Sequence, residues 1–122
     1  VEQIPPRIQN QLLQFQQVQQ QAQAIATQRF QLELQLKEVE RSLGEVSKLD
    51  NKAEIYKSVG AILIRSNTPA IKEELVEKKE TLELRIKTLK RQEEKIQQRL
   101  KEMQDKIREE LKSASTGMSG AG

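Results

Sequence analysis

Glu73 and Glu77 stand four residues apart, a spacing that on a helix puts two carboxylates on one face, where they could share a proton or begin a metal site. Their surroundings point elsewhere. Residues 71–112 carry thirteen Lys or Arg against eleven Asp or Glu, so these carboxylates read as members of solvated ion pairs. The chain has no His and no Cys, which removes the imidazole base, the thiol nucleophile, the disulfide and the common zinc site. Neither Gly44 nor Gly60 opens a Gly-Lys-Ser/Thr phosphate loop, and no dinucleotide glycine pattern occurs. No enzyme, no cofactor and no metal site is expected.

Binding to nucleic acid has one argument in its favour, a formal charge of +3 with a pI near 9.2. The pattern of that charge opposes it. Basic residues alternate with acids, as in Lys78-Lys79-Glu80 and Arg91-Gln92-Glu93-Glu94-Lys95, and with only Phe15, Phe30 and Tyr56 as aromatics there is no interleaved stacking platform. No apolar run approaches a membrane span and no charged-then-apolar leader is visible, so a soluble, cytoplasmic protein is expected, with no membrane or nucleic-acid partner.

The elements that remain to be placed are long helices. Of the 122 residues 35% are hydrophobic and 32% charged, a poor supply for a compact core, and the abundant Gln, Glu, Lys, Leu and Arg lose little rotamer freedom in a helix. One register stepping by three and four runs Ile8, Gln11, Phe15, Val18, Ala22, Ile25, Arg29, Leu32, Leu36, Val39, Leu43, Val46; ten of these twelve are apolar. A second runs Leu75, Lys79, Leu82, Ile86, Leu89, Glu93, Ile96, Leu100, Met103, Ile107, Glu110, with eight of eleven apolar. A mean period of 3.5 keeps one seam facing a partner helix. The two segments are of equal length, each about 65 Å at ~1.5 Å per residue. They can therefore fold back on one another as an antiparallel two-helix coiled coil, with Ile8 toward Ile107 and Val46 toward Leu75.

Between them, residues 53–69 change character. Glu54-Ile55-Tyr56-Lys57-Ser58 and Ala61-Ile62-Leu63-Ile64-Arg65-Ser66 flank a Ser-Val-Gly turn and read as a β-hairpin. Thr68 suits a helix N-cap with Pro69 at the first helical position and Glu73 and Glu74 soon after. The expected organisation is a single domain over 1–122: helix over about 6–50, hairpin over about 53–66, helix over about 69–112, and a disordered small-residue tail over 113–122. Ile62-Leu63-Ile64 is apolar at consecutive positions, and since strand side chains alternate faces, both faces of this strand require burial. A lone two-stranded hairpin cannot supply that. Either the strand packs on the base of its own coiled coil, or hairpins of several chains combine into a shared sheet or barrel. The second is the expectation here, with Tyr56, Val59, Ile62, Leu63 and Ile64 carrying assembly.

The far end of the helix pair is the other candidate surface. Fraying there would expose Ile4, Ile8, Leu12, Leu13 and Phe15 from the first helix and Leu100, Met103, Ile107 and Leu111 from the second. Leu12, Leu13 and Leu111 lie off the seam register, and Met is adaptable enough for promiscuous contacts. Residues 1–35 carry thirteen Gln and only four charged residues, Glu2, Arg7, Arg29 and Glu33, so the first helix is polar with little ionic preference.

The order helix, β-hairpin, helix now stands beside specific stretches: Gln9-Asn10-Gln11-Leu12-Leu13-Gln14-Phe15-Gln16-Gln17, then Gln19-Gln20-Gln21-Ala22-Gln23-Ala24-Ile25. To these are added Glu54-Ile55-Tyr56-Lys57-Ser58-Val59-Gly60 with Ile62-Leu63-Ile64-Arg65, and Leu84 to Glu94. Over about residues 8–110 the sequence resembles the archaeal β-type subunits of the prefoldin family. The resemblance implies a hexamer of two α and four β subunits whose hairpins build a double-barrel body and whose six coiled coils hang as tentacles. It further implies an ATP-independent cytosolic chaperone that captures nonnative proteins at the tentacle tips and delivers them to a group II chaperonin. The family's chaperonin contact lies toward the same ends; Lys and Arg of 99–112, Lys106 and Arg108 among them, could meet an acidic surface there. The competing possibility is a structural tether or scaffold subunit whose tips bind one folded partner.

Overall fold

A computed structural model of the protein describes residues 4–121. The element order is α1 (Pro6–Ser47), β1 (Ile55–Val59), β2 (Ile62–Ser66) and α2 (Thr68–Ala121): two long helices with an antiparallel hairpin between them. The chain packs as two compact units. One comprises the residues up to Gln28 and from Leu89 onward, the other Arg29–Thr88. Each helix contributes a segment to both.

In the first, terminal unit, α1 starts at the Pro5-Pro6 pair. Pro6 occupies the first helical position, where its missing N–H costs nothing and its fixed φ suits the helix. The carbonyl of Pro5 accepts from the amides of Ile8 and Gln9, both at 3.0 Å, and the Gln9 side chain donates back to the Ile4 carbonyl at 2.8 Å. Antiparallel packing of the two helix segments is seen directly, since Arg7 of α1 reaches Glu110 of α2 at 3.2 Å. The core is the seam: Ile8, Val18, Ala22 and Ile107 are buried, and every other position of the two registers in this unit is at least half-buried.

The hairpin unit follows the same rule, with Val39, Val46, Leu82 and Ile86 buried and its remaining seam positions half-buried. Here α1 ends at Ser47 rather than near residue 50. The amides of Lys48 and Leu49 turn back to Glu45 and Val46 at 3.2 and 3.0 Å, and Asp50 then sets a turn of its own. Its carboxylate accepts from the Lys52 amide at 2.8 Å and its carbonyl from the Ala53 amide at 3.0 Å, a competition with helix that Asp side chains commonly win.

The strands pair in the register Ile55↔Ser66, Tyr56↔Arg65, Lys57↔Ile64, Ser58↔Leu63, Val59↔Ile62. Each strand begins one residue later than the sequence pattern indicates. The turn is the two-residue Gly60-Ala61, and Gly60 has φ +58° while no other described residue has positive φ. Positive φ at the first central position alone is the signature of a type II′ hairpin turn.

Two helix boundaries of α2 differ from expectation. Asn67, not Thr68, is the N-cap: its side-chain oxygen accepts from the Ala70 amide at 2.9 Å and its carbonyl from Ile71 at 3.1 Å. Thr68, free of that duty, is buried and donates its hydroxyl to the Asp50 carbonyl at 3.0 Å. At the other end the helix runs on to Ala121, through most of the stretch expected as a disordered tail; only Gly122 lies outside the described residues. Residues 113–121 contain no Pro, and extending an existing helix orders one residue per hydrogen bond gained, without the cost of a nucleus.

Candidate functional site

The hairpin is the most exposed apolar structure in its unit. Its two faces follow from the register. Ile55, Lys57, Val59, Ile62, Ile64 and Ser66 share one, and Tyr56, Ser58, Leu63 and Arg65 share the other. Ile62 is 59% exposed, Leu63 71% and Ile64 45%, with Tyr56 and Val59 also exposed. Within the single chain each of these side chains keeps at least 44% of its surface exposed, so packing on the chain's own coiled coil completes the burial of neither face of the strand. Burying one such side chain is worth roughly 1.5–3 kcal/mol, and both faces offer that gain. On the first face Lys57 crosses to Glu74 of α2 at 2.9 Å, which ties the hairpin to the helix and engages one of the carboxylates of the first turns. Glu73 and Glu77 are exposed, and among the described residues no group of three or more His, Cys, Asp or Glu is placed to hold a metal ion.

The terminal unit holds the second candidate surface, in a form that differs from a frayed end. Ile4, Leu13 and Leu111 are exposed, and Leu12, Phe15, Leu100 and Met103 are half-buried. Ile8 and Ile107, however, are 3% and 7% exposed. They are seam residues, enclosed because Pro5 and Pro6 fix the start of α1 and the Arg7–Glu110 pair closes the helices beside them. A shallow groove lined by Gln11, Gln14, Met103, Lys106 and Ile107 lies alongside.

Two polar atoms in this region lack partners. The amide oxygen of Gln11 and the second carboxylate oxygen of Glu110 are buried and accept no hydrogen bond. Each such acceptor costs about 1–3 kcal/mol relative to its hydrated state. The Arg7–Glu110 pair returns only part of this, since Arg7 is 76% exposed and exposed pairs contribute about 0.2–1 kcal/mol. The run of residues 8–28 in α1 contains no charged side chain, so beyond Arg7 the charge at this end comes from α2, with Lys106 and Glu110 among its residues. Sequence reasoning also passed over Phe30, Leu34, Val76 and Leu84, exposed apolar residues of the hairpin unit. The signal for them was available, because all four fall outside the seam registers.

Comparison with known proteins is decisive at this point: the family model described as "Prefoldin subunit" matches residues 9–114. The chain belongs to the prefoldin subunit family. Among curated prefoldin relatives it is 48% identical over 104 residues to the prefoldin subunit beta of Archaeoglobus fulgidus, covering 85% of this chain and 90% of the relative. It is 44% identical over 108 residues to that of Methanothrix thermoacetophila, covering 88% and 90%. The crystal structure of the prefoldin beta subunit from Thermococcus strain KS-1 superposes with a TM-score of 0.84 at 37% identity, covering 91% of this chain and 97% of that one. The prefoldin beta2 subunit of the same strain gives a TM-score of 0.67 at 25% identity, covering 75% and 97%. The helix, hairpin, helix architecture read from the sequence is thus a prefoldin architecture, and prefoldin subunits are chaperone subunits. Among the described residues no helix is long and apolar enough to cross a membrane.

Proposed function

We propose that this chain is a β-type subunit of a cytoplasmic, ATP-independent chaperone, and that it works only as part of a hexamer with α-type partners, four β with two α. The hairpins join into a β-barrel body through Tyr56, Val59, Ile62, Leu63 and Ile64. The ends of the helix pairs capture nonnative proteins through the apolar residues of the terminal unit, and clients pass to a group II chaperonin. The observation that carries the reading is the exposure of Ile62, Leu63 and Ile64 on both faces of a strand, which is unstable in water unless other chains cover it. Capture by several arms at once lets individually weak contacts sum to useful affinity while each remains able to release. The basic residues of the α2 end, Lys106 and Arg108 among them, are the proposed contacts for an acidic chaperonin surface.

The test is the mass of the chain by light scattering, alone and with an α-type prefoldin subunit, joined to an aggregation assay on several unrelated denatured clients without ATP. A hetero-hexamer that suppresses aggregation at near-stoichiometric amounts, and ignores the native clients, is the expected result. A stable two-helix monomer, or a complex that binds a single native partner, would instead make the chain a tether. Charge reversal at Lys106 and Arg108 is expected to weaken chaperonin binding and flatten its salt dependence, with client capture preserved.

A further inference from the structure

We infer that the Lys57–Glu74 ion pair determines which neighbouring hairpins this chain accepts, because it sets a charge in the middle of an apolar strand face that only a correctly seated neighbour can cover. The inference rests on the assembly reading above and names the residues that make that assembly selective. Lys57 shares its face of the hairpin with Ile55, Val59, Ile62, Ile64 and Ser66, and it is the one charged residue there. It pairs across the hairpin with Ile64 and has Ile55 and Val59 two residues to either side on its own strand. A neighbour that covers Val59, Ile62 and Ile64 therefore covers Lys57 as well. The lysine ammonium meets Glu74 of α2 at 2.9 Å, and the two side chains are 44% and 50% exposed, half enclosed before any neighbour arrives. The other ion pair of the hairpin, Arg65 with Glu54 at 3.8 Å, is more exposed and its arginine lies on the opposite face.

In the single chain the pair is half in water and contributes little. Covering the face changes its weight. Both charges lose their water together, and their attraction offsets that loss only while they stay in contact. Either one alone becomes a buried charge without a counter-ion, among the most destabilising defects an interface can hold. The apolar run Ile62-Leu63-Ile64 supplies affinity with no such discrimination, since any exposed apolar strand gains by lying on it. Lys57 adds the discrimination. A neighbour seated so that the lysine keeps its contact with Glu74 is accepted, and one shifted in register, which prises the two apart, is refused. Because Glu74 stands on α2, the contact also fixes the neighbour relative to the root of that helix and not to the strand alone. The neighbour is the hairpin of another prefoldin subunit, of the kind a second copy of this chain presents.

The experiment mixes the full chain with an α-type prefoldin subunit and follows mass by light scattering on dilution, with helix content by circular dichroism as the check on the fold. Glu74→Gln strands the lysine, and Lys57→Glu sets two carboxylates together. Each is expected to raise the concentration at which the complex dissociates by about ten-fold or more, with helix content kept. The exchange Lys57→Glu with Glu74→Lys rebuilds the pair and should bring that concentration back to within about three-fold of the wild type. Lys57→Met with Glu74→Leu removes both charges. It is expected to assemble at least as tightly as the wild type and to lose selectivity, so that species heavier than the wild-type complex appear beside it. Single substitutions that leave the dissociation concentration unchanged, an exchange that fails to restore it, or an uncharged double variant that gives only the wild-type mass would each overturn the inference. So would single variants that lose helix content together with mass, since the pair would then serve the chain's own fold. A wild-type chain that forms no complex with the α-type subunit overturns the assembly reading itself and, with it, this assignment.

Discussion

The hydroxyl of Thr68 donates to the carbonyl of Asp50 at 3.0 Å, joining the first residue of α2 to the turn that follows α1. The same carbonyl accepts from the Ala53 amide, so one oxygen holds the start of the hairpin and the start of the second helix together. Thr68→Val keeps the shape of this buried side chain and removes its donor, while Asp50 retains one hydrogen bond. A loss of about 1 kcal/mol is expected, read from chemical unfolding at a fixed protomer concentration. Thr68→Ser should recover most of it.

Gly60 adopts φ +58° with nothing within 4 Å of where a side chain would project, so its requirement is conformational and not steric crowding. Gly60→Ala is expected to cost about 1–2 kcal/mol. The loss should appear as an assembly that dissociates on dilution at higher protein concentration than the wild type.

Gly44 lies in α1 with open space around it and needs no special backbone. Gly44→Ala should therefore stabilise the fold by about 0.4–1 kcal/mol, with aggregation suppression unaltered. A drop in melting temperature would mean that the glycine is kept for a close approach by another chain.

Ile62→Glu with Leu63→Glu puts a charge on each face of β2. Because both side chains are exposed in the single chain, helix content by circular dichroism should be almost unchanged while the mass by light scattering falls below that of a hexamer. Loss of helix along with mass would show that the hairpin serves the chain's own fold.

The parts of this architecture legible from sequence are those governed by repetition. Every position of the two seam registers, from Ile8 to Val46 and from Leu75 to Glu110, is buried or half-buried, because a period of 3.5 leaves few alternatives to a facing helix. The hairpin was legible through a different signal, the shift to β-branched residues around Gly60. Boundaries were harder. Asn67 and Thr68 are both good N-caps, and what decides between them is the carbonyl of Asp50, distant in sequence, which claims the Thr68 hydroxyl. The extension of α2 past Lys112 depends on a helix already formed and not on the propensities of Ser and Gly. Ile8 and Ile107 belong to the seam registers and also lie near the helix ends, and it is the seam that decides their burial, while the unpaired oxygens of Gln11 and Glu110 have no counterpart in a pattern of apolar residues.

The seam also makes arm length a discrete quantity. An insertion of one or two residues in α1 would rotate everything beyond it off the facing helix, and even a clean heptad in α1 would slide its apolar positions past those of α2 unless seven residues were added there as well. Longer or shorter arms are therefore reachable only through matched changes at two places far apart in the gene. Substitution within the seam, by contrast, leaves the length and pairing of the helices as they are.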